Sequence, residues 1–125
     1  LVCEGGSNYR IAGASAYQKH LKKIAGPKSA DGVSHETLAF LIPEPSNPKD
    51  KNAVAVEIDG WLVGYLRAKD CDEFHRVMAE NGTSRAACRA KIVGGWKRSG
   101  GDEGHYGVGL DLKWPPVGAV EEVKL

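Results

Sequence analysis

Glu44–Leu66 reads EPSNPKDKNAVAVEIDGWLVGYL, and the fold turns on this run. Pro45 and Pro48, with Pro43 just before them, bracket a short polar loop. Proline lacks the donor a β-ladder needs, so the strand ahead of the loop is expected to end there. Ala53–Ile58 reads as an alternating strand and Trp61–Leu66 as a second strand. Asp59-Gly60 between them is a pair favoured in a type I′ turn, which predicts a tight hairpin. A period of two places Val54, Val56, Ile58, Trp61, Val63 and Tyr65 on one face. Ala53, Ala55, Glu57, Leu62, Gly64 and Leu66 fall on the other. Ala55 is then opposite Gly64, leaving room for another element to approach. Loop and hairpin together hold a few polar side chains at the rim of a sheet.

Upstream, Thr37–Ile42 (TLAFLI) reads as a largely buried strand. Tyr9–Ala12 suits a short first strand ending at Gly13. Ser15 followed by Gln18 has the S-x-x-Q spacing of a capping box, so a helix is expected from Ser15. Tyr17, Leu21 and Ile24 form its apolar stripe, with Lys19, Lys22 and Lys23 on the opposite face. Gly26-Pro27 ends it. Downstream, Asp70 is expected to cap a second helix with Glu73 three residues on. Cys71, Phe74, Val77 and Met78 are its buried stripe, and Asn81-Gly82 its stop. Ala86–Val93 and Val108–Trp114 read as two further strands, the last ended by Pro115-Pro116. The glycine-rich run Gly94–Gly107 between them is expected to be a long, mobile hairpin loop. Trp96 and Tyr106, in or beside it, are candidates for exposed rings.

The order is strand, helix, three strands, helix, two strands, with hairpin links dominating. A mainly β fold follows: a small, curled, six-stranded barrel with two helices against it. The expected division is a leader over 1–8, one domain over 9–115 and a tail over 116–125. At 125 residues the chain supports one core. It opens on Leu1, which suits a trimmed chain or a piece of a longer one.

Lys and Arg number 17 against 16 Asp and Glu, so no global field draws the chain to nucleic acid or membrane. No apolar run is long enough to span a bilayer, and no membrane partner is expected. Cys3, Cys71 and Cys88 are an odd set without C-x-x-C spacing. Reduced thiols and a cytoplasmic location, or a nuclear one in a eukaryote, are the expectation.

Cys71 and His75 are four apart on a predicted helix but lack a second ligand pair, so no metal is expected. The glycine-rich run has no G-K-[ST] step and fails the phosphate-loop pattern. There is no G-x-S-x-G elbow. Glu44 and Asp50 could share acid–base work, but an Asp in such a loop more often folds onto its own backbone. The chain therefore reads as a module that is not an enzyme and takes no cofactor. Basic groups are more suggestive. Lys49, Lys51, Arg67 and Lys69 would track a phosphate backbone if the loop and the hairpin end meet at one rim. Arg85, Arg89 and Lys91 line a strand.

Three stretches resemble the HIRAN family, found at the front of certain SWI/SNF-type remodelling ATPases and in bacterial proteins. They are IAGASAY (Ile11–Tyr17), EPSNPKDKNAVAV (Glu44–Val56) and GWLVGYL (Gly60–Leu66). The second matches E-P-x-N-P-x-D-x-N-A-V-x-V. The resemblance implies an OB-like open barrel and, in eukaryotic relatives, recognition of a free 3′ end of single-stranded DNA. A basic–aromatic pair in the first motif and an aromatic–Asp pair in the second form that pocket. Here Ser15-Ala16 stands for the first pair and Lys49-Asp50 for the second, so only the Asp is kept. Stacking is typically about 1–3 kcal/mol per base, so its loss implies weaker, more salt-sensitive binding.

The expected function is weak binding of single-stranded or end-containing DNA, as an accessory domain in DNA processing such as repair. A larger parent protein or a helicase or nuclease partner would supply the rest. The nucleic-acid-binding candidates are Ser15, Lys49, Asp50, Lys51, Asn52, Tyr65, Arg67 and Lys69. The rival reading is a protein-interaction module that keeps the barrel and has lost DNA binding.

Overall fold

The computed structural model describes residues 2–4, 8–112 and 117–119, with side chains over 8–112. The strands are β1 (Val2–Glu4), β2 (Asn8–Arg10), β3 (His35–Pro43), β4 (Val54–Ile58), β5 (Trp61–Tyr65), β6 (Ala86–Gly94), β7 (Tyr106–Asp111) and β8 (Val117–Ala119). The helices are α1 (Gln18–Ala25), preceded by a 3₁₀ turn over Ala14–Tyr17, and α2 (Cys71–Glu80). The main sheet path is β2-β7-β6-β3-β4-β5, antiparallel throughout. The fold is mainly β, an open six-stranded barrel with two helices, as the sequence led one to expect.

The two ends of that path meet. Just past β2, Ala12 donates to the Tyr65 carbonyl at 2.8 Å and accepts from the Tyr65 N–H at 2.9 Å. This single antiparallel bridge joins the first strand to the last and makes the sheet curl. Gly64 permits it: a Cβ there would sit 2.6 Å from the Ala12 carbonyl oxygen and 2.7 Å from Ile11 Cδ1. The core lies inside the curl, with Leu41, Val54, Val56, Ile58, Val63, Ile92, Leu110 and Phe74 fully buried. Each such side chain contributes roughly 1.5–3 kcal/mol of hydrophobic stabilisation.

Asp59 (φ 53°) and Gly60 (φ 79°) both adopt positive φ, as a type I′ turn requires. The register beyond the turn differs from strict alternation. Ile58 faces Trp61 and Glu57 faces Leu62, but then Val56 faces Gly64 and Ala55 faces Tyr65. The irregularity leaves Val63 as an extra residue on β5. Gly64 still gives the close approach expected of it, to Ala12 and Ile11, but its cross-strand partner is Val56 rather than Ala55. Trp61 is 38% exposed and Tyr65 half-buried, so neither joins Val54 and Val56 in the core.

Both expected capping arrangements are replaced by tertiary hydrogen bonds. Ser15 is exposed within the 3₁₀ turn and makes no side-chain cap. Gln18 instead reaches β7, accepting from Tyr106 N–H at 2.7 Å and donating to the Tyr106 carbonyl at 2.9 Å. Asp70 precedes α2 without capping it, and its carboxylate accepts from the Tyr9 hydroxyl at 2.6 Å. In each case a partner on a strand outcompetes the helix's own N–H groups.

Further differences concern the ends of elements. Pro43 is the last residue of β3 rather than the first beyond it, because β6 no longer pairs beyond Leu41 and β4 alone remains alongside. Two stretches read as leader and tail contain β1 and β8, which pair antiparallel, and β1 also pairs parallel with β6. The glycine-rich loop is tied down. Arg98 bonds Asp102, Lys28 bonds Glu103, and Trp96 Nε1 donates to Asp102. Trp96 is half-buried and Tyr106 buried, its hydroxyl donating to the Gly26 carbonyl. The expected end of the last strand, Lys113–Pro116, lies outside the described residues.

Candidate nucleic-acid interface

The polar loop is built by its own side chains. Asn47 Oδ1 accepts from the N–H groups of Lys49 (2.9 Å) and Asp50 (3.1 Å). Asp50 Oδ1 accepts from Asn52 N–H at 2.9 Å, an Asx turn. Glu44 Oε1 accepts from Asn47 Nδ2 at 3.1 Å and from the Tyr65 hydroxyl at 3.0 Å. One chain of hydrogen bonds thus runs from β5 through Glu44 and Asn47 to Asp50. Burial, then the bond to Glu44, pushes the Tyr65 hydroxyl well above the ordinary tyrosine range, so it is a donor at any physiological pH.

A cleft of about 520 Å³ opens here, lined by Pro43, Glu44, Pro45, Ser46, Asn47, Pro48 and Tyr65. The Ala12–Tyr65 bridge brings the first motif to its edge. The Tyr17 ring lies 6.5 Å from that of Tyr65, and a Cβ at Gly13 would just touch the Tyr65 ring, at 4.0 Å. Lys49 and Ser15 are both exposed beside these elements.

The remaining expected residues divide into two further clusters. Asn52 turns to α2, donating to Asp72 at 2.9 Å, while its carbonyl meets His75 Nε2 at 2.8 Å. His75 is thus engaged with the loop backbone. Arg67 belongs to the seam of the barrel. Its guanidinium lies 4.6 Å over the Tyr9 ring and Nε donates to the Arg10 carbonyl, while its N–H donates to the Tyr9 hydroxyl. Lys51 and Lys69 are exposed. Arg89 and Lys91 lie elsewhere, on the outer sheet face, lining a depression of about 600 Å³ with Asn8, Glu36 and Asp111. Their charge is mixed, whereas the one charged residue lining the cleft is Glu44, and Lys49 lies beside it on the same loop.

Among the described residues no three His, Cys, Asp or Glu side chains are grouped to hold a metal ion. No helix among them is long and apolar enough to cross a membrane. Cys71 is buried beneath the loop, and burial raises its thiol above the ordinary value, away from the nucleophilic thiolate.

Sequence reasoning missed Asn47, which organises the loop, and Tyr17, which it assigned only to a core stripe. The spacing N-x-K-D was a usable signal for Asn47, since Asn readily accepts from N–H groups two and three residues on. No local signal pointed Tyr17 towards Tyr65, because the contact depends on the barrel closing.

Fold and cleft together define a small, mainly β binding module. The chain belongs to the HIRAN domain family, whose model matches residues 5–97. That family is known as a DNA-binding module. Among solved structures, the HIRAN domain of human HLTF aligns at 18% identity with a TM-score of 0.39, over 85% of this chain and 74% of that one. Comparison with curated proteins gives no match. The assignment stands on the family match.

Proposed function

We propose that this HIRAN domain binds single-stranded or end-containing DNA, weakly and with marked salt dependence, and has no catalysis of its own. It would serve as an accessory module in DNA processing, attached to or working beside a helicase or nuclease. The observation that carries the reading is the meeting of the three motifs at Tyr65. The Ala12 bridge holds the first motif to it, and Glu44 and Asn47 join it to the loop carrying Lys49. Lys49 offers a charge to phosphate where stacking is absent. Glu44 and Asp50 are both spent on holding the loop, which argues for positioning rather than acid–base chemistry.

The test is titration of a labelled single strand at about 50 mM salt, where phosphate contacts are strong. Free and phosphate-blocked 3′ ends are compared. Binding that weakens steeply with salt is expected, and no binding at low salt sinks the reading. Equal binding of both ends would mean that Asp50 does not read a hydroxyl.

One observation favours the rival, a protein-interaction module. Asp50 Oδ1 already accepts from Asn52 N–H, so the carboxylate serves its own loop. That reading expects Asp50→Ala to loosen the loop and leave DNA affinity unchanged.

A further inference from the structure

A row of rings leads away from the cleft. From Tyr65 the next ring, Tyr17, is 6.5 Å distant, centroid to centroid. Tyr17 is 5.9 Å from His20, and His20 is 4.8 Å from Trp61. The row thus runs from the end of β5, across the 3₁₀ turn and α1, to the start of β5 at the hairpin tip. His20 Nδ1 lies 2.6 Å from the Leu62 carbonyl oxygen. That oxygen can only accept, so Nδ1 carries the proton and the ring is fixed in place.

The far end of the row is exposed and cationic. Trp61 shows 38% of its surface to solvent. Lys23 Nζ sits 4.4 Å above its ring. Helix α1 carries Lys19, Lys22 and Lys23, all exposed, and no acidic residue. Among the described residues none of these lysines forms a salt bridge. Asp59, in the hairpin turn, is the acidic residue nearest to Trp61 in sequence. An exposed tryptophan contributes little to the core, and unpaired lysines contribute little to stability. Rings beside cations that no carboxylate neutralises suit an unpaired nucleic acid strand: bases lie on the rings while phosphates draw the lysines, Lys23 included, off the ring it covers in the free protein.

We infer that α1 and the hairpin tip extend the binding site, so that a DNA single strand entering the cleft continues over Tyr17 and His20 to Trp61. Lys19 and Lys23, one turn apart on α1, meet its phosphates. This rests on the DNA-binding reading above. It assigns stacking to residues outside the positions where the family carries its aromatics, and it makes strand length the determinant of affinity. A duplex, whose base faces are already stacked, gains nothing from the row.

The experiment uses the whole chain and labelled thymidine oligonucleotides of about two, four and eight nucleotides with a common 3′ end. These reach into the ~4–16 nucleotide range of a single barrel. Wild-type affinity is expected to rise with length. Trp61→Ala should weaken the longest strand about tenfold and leave the shortest unchanged. Trp61→Phe should restore most of the loss. Lys23→Ala, which leaves the rings in place, should lower the salt slope for the longest strand by about 0.7. If Trp61→Ala and Lys23→Ala both bind the longest strand as wild type does, or weaken short and long strands equally, the row is not the path. The cleft reading then survives. If wild type binds no strand of any length, both fall together.

Discussion

Tyr65 is the residue on which the site depends. Its hydroxyl donates to Glu44, its backbone bonds Ala12 in both directions, and its ring neighbours that of Tyr17. Tyr65→Phe removes one donor and keeps the ring. Glu44 retains Asn47 and gains water, so a loss of about 1 kcal/mol is expected, within the usual range for one hydrogen bond. Urea unfolding checks it: the midpoint should fall while the m-value stays constant. A changed m-value would mean that the loop or the barrel end had come apart. The sequence showed Tyr65 as a strand residue near the motifs but placed it on the core face. A period of two carries no record of an extra residue, and Val63 is that residue. Asp50 was more legible, since the tendency of Asp to bond its own loop is local and needs no tertiary knowledge.

At the scale of elements, the six strands of the main path and both helices were legible because each has a strong period or clear punctuation; β1 and β8, three residues each, are too short to show a period. The type I′ turn at Asp59-Gly60, the stops at Gly26 and Asn81-Gly82, and the buried stripe of α2 all follow from local chemistry. How the helices start was not legible. Ser15 and Asp70 fit capping rules, yet Gln18 bonds Tyr106 and Asp70 bonds Tyr9. A distant partner cannot be read from spacing. Gln18 joins α1 to β7 much as a neighbouring strand would, through one donor and one acceptor. Gln18→Leu would leave both backbone groups of Tyr106 without that partner. A loss of about 2–4 kcal/mol is expected from two unsatisfied groups. Thermal unfolding measures it, and a loss below about 0.5 kcal/mol, the range of ordinary surface changes, would show that water replaces the clasp freely.

Gly64→Ala tests the join between elements. The added methyl would meet the Ala12 carbonyl oxygen and the Ile11 side chain, and the first of these is backbone that cannot swing aside. The bridge must open or β5 must shift. Destabilisation of about 1–3 kcal/mol is expected, the range for overpacking. Hydrogen exchange should localise it: the amides of Ala12 and Tyr65 lose protection before those of β3 and β6. Uniform loss of protection across the sheet would mean that the bridge is no separate unit.

At the scale of the whole molecule, closure of the barrel is what assembles the site, and two tyrosines hold the seam. Tyr65 lies on β5. Tyr9 lies on β2, its hydroxyl donating to Asp70 and accepting from Arg67 N–H. Burial comes first and the carboxylate bond second in raising both hydroxyls well above the ordinary value of 10.0. Both must stay protonated to keep donating to Asp70 and Glu44. In the unfolded chain they ionise near 10, so there the unfolded state releases protons before the folded one. Their contribution is therefore fully present below pH 10 and is lost as pH rises towards the folded values. Unfolding free energy should be insensitive to these groups through the neutral range and fall beyond about pH 10. Denaturant unfolding from pH 8 to 11 measures the fall. Tyr9→Phe and Tyr65→Phe should each make it shallower, and together shallower still, since the two hydroxyls act on different carboxylates. A double variant that falls as steeply as wild type would assign alkaline loss to lysine neutralisation instead. The same measurement bears on function. Because the first motif reaches the cleft only through the seam, DNA binding should weaken with the alkaline opening at pH values where the rest of the sheet remains folded.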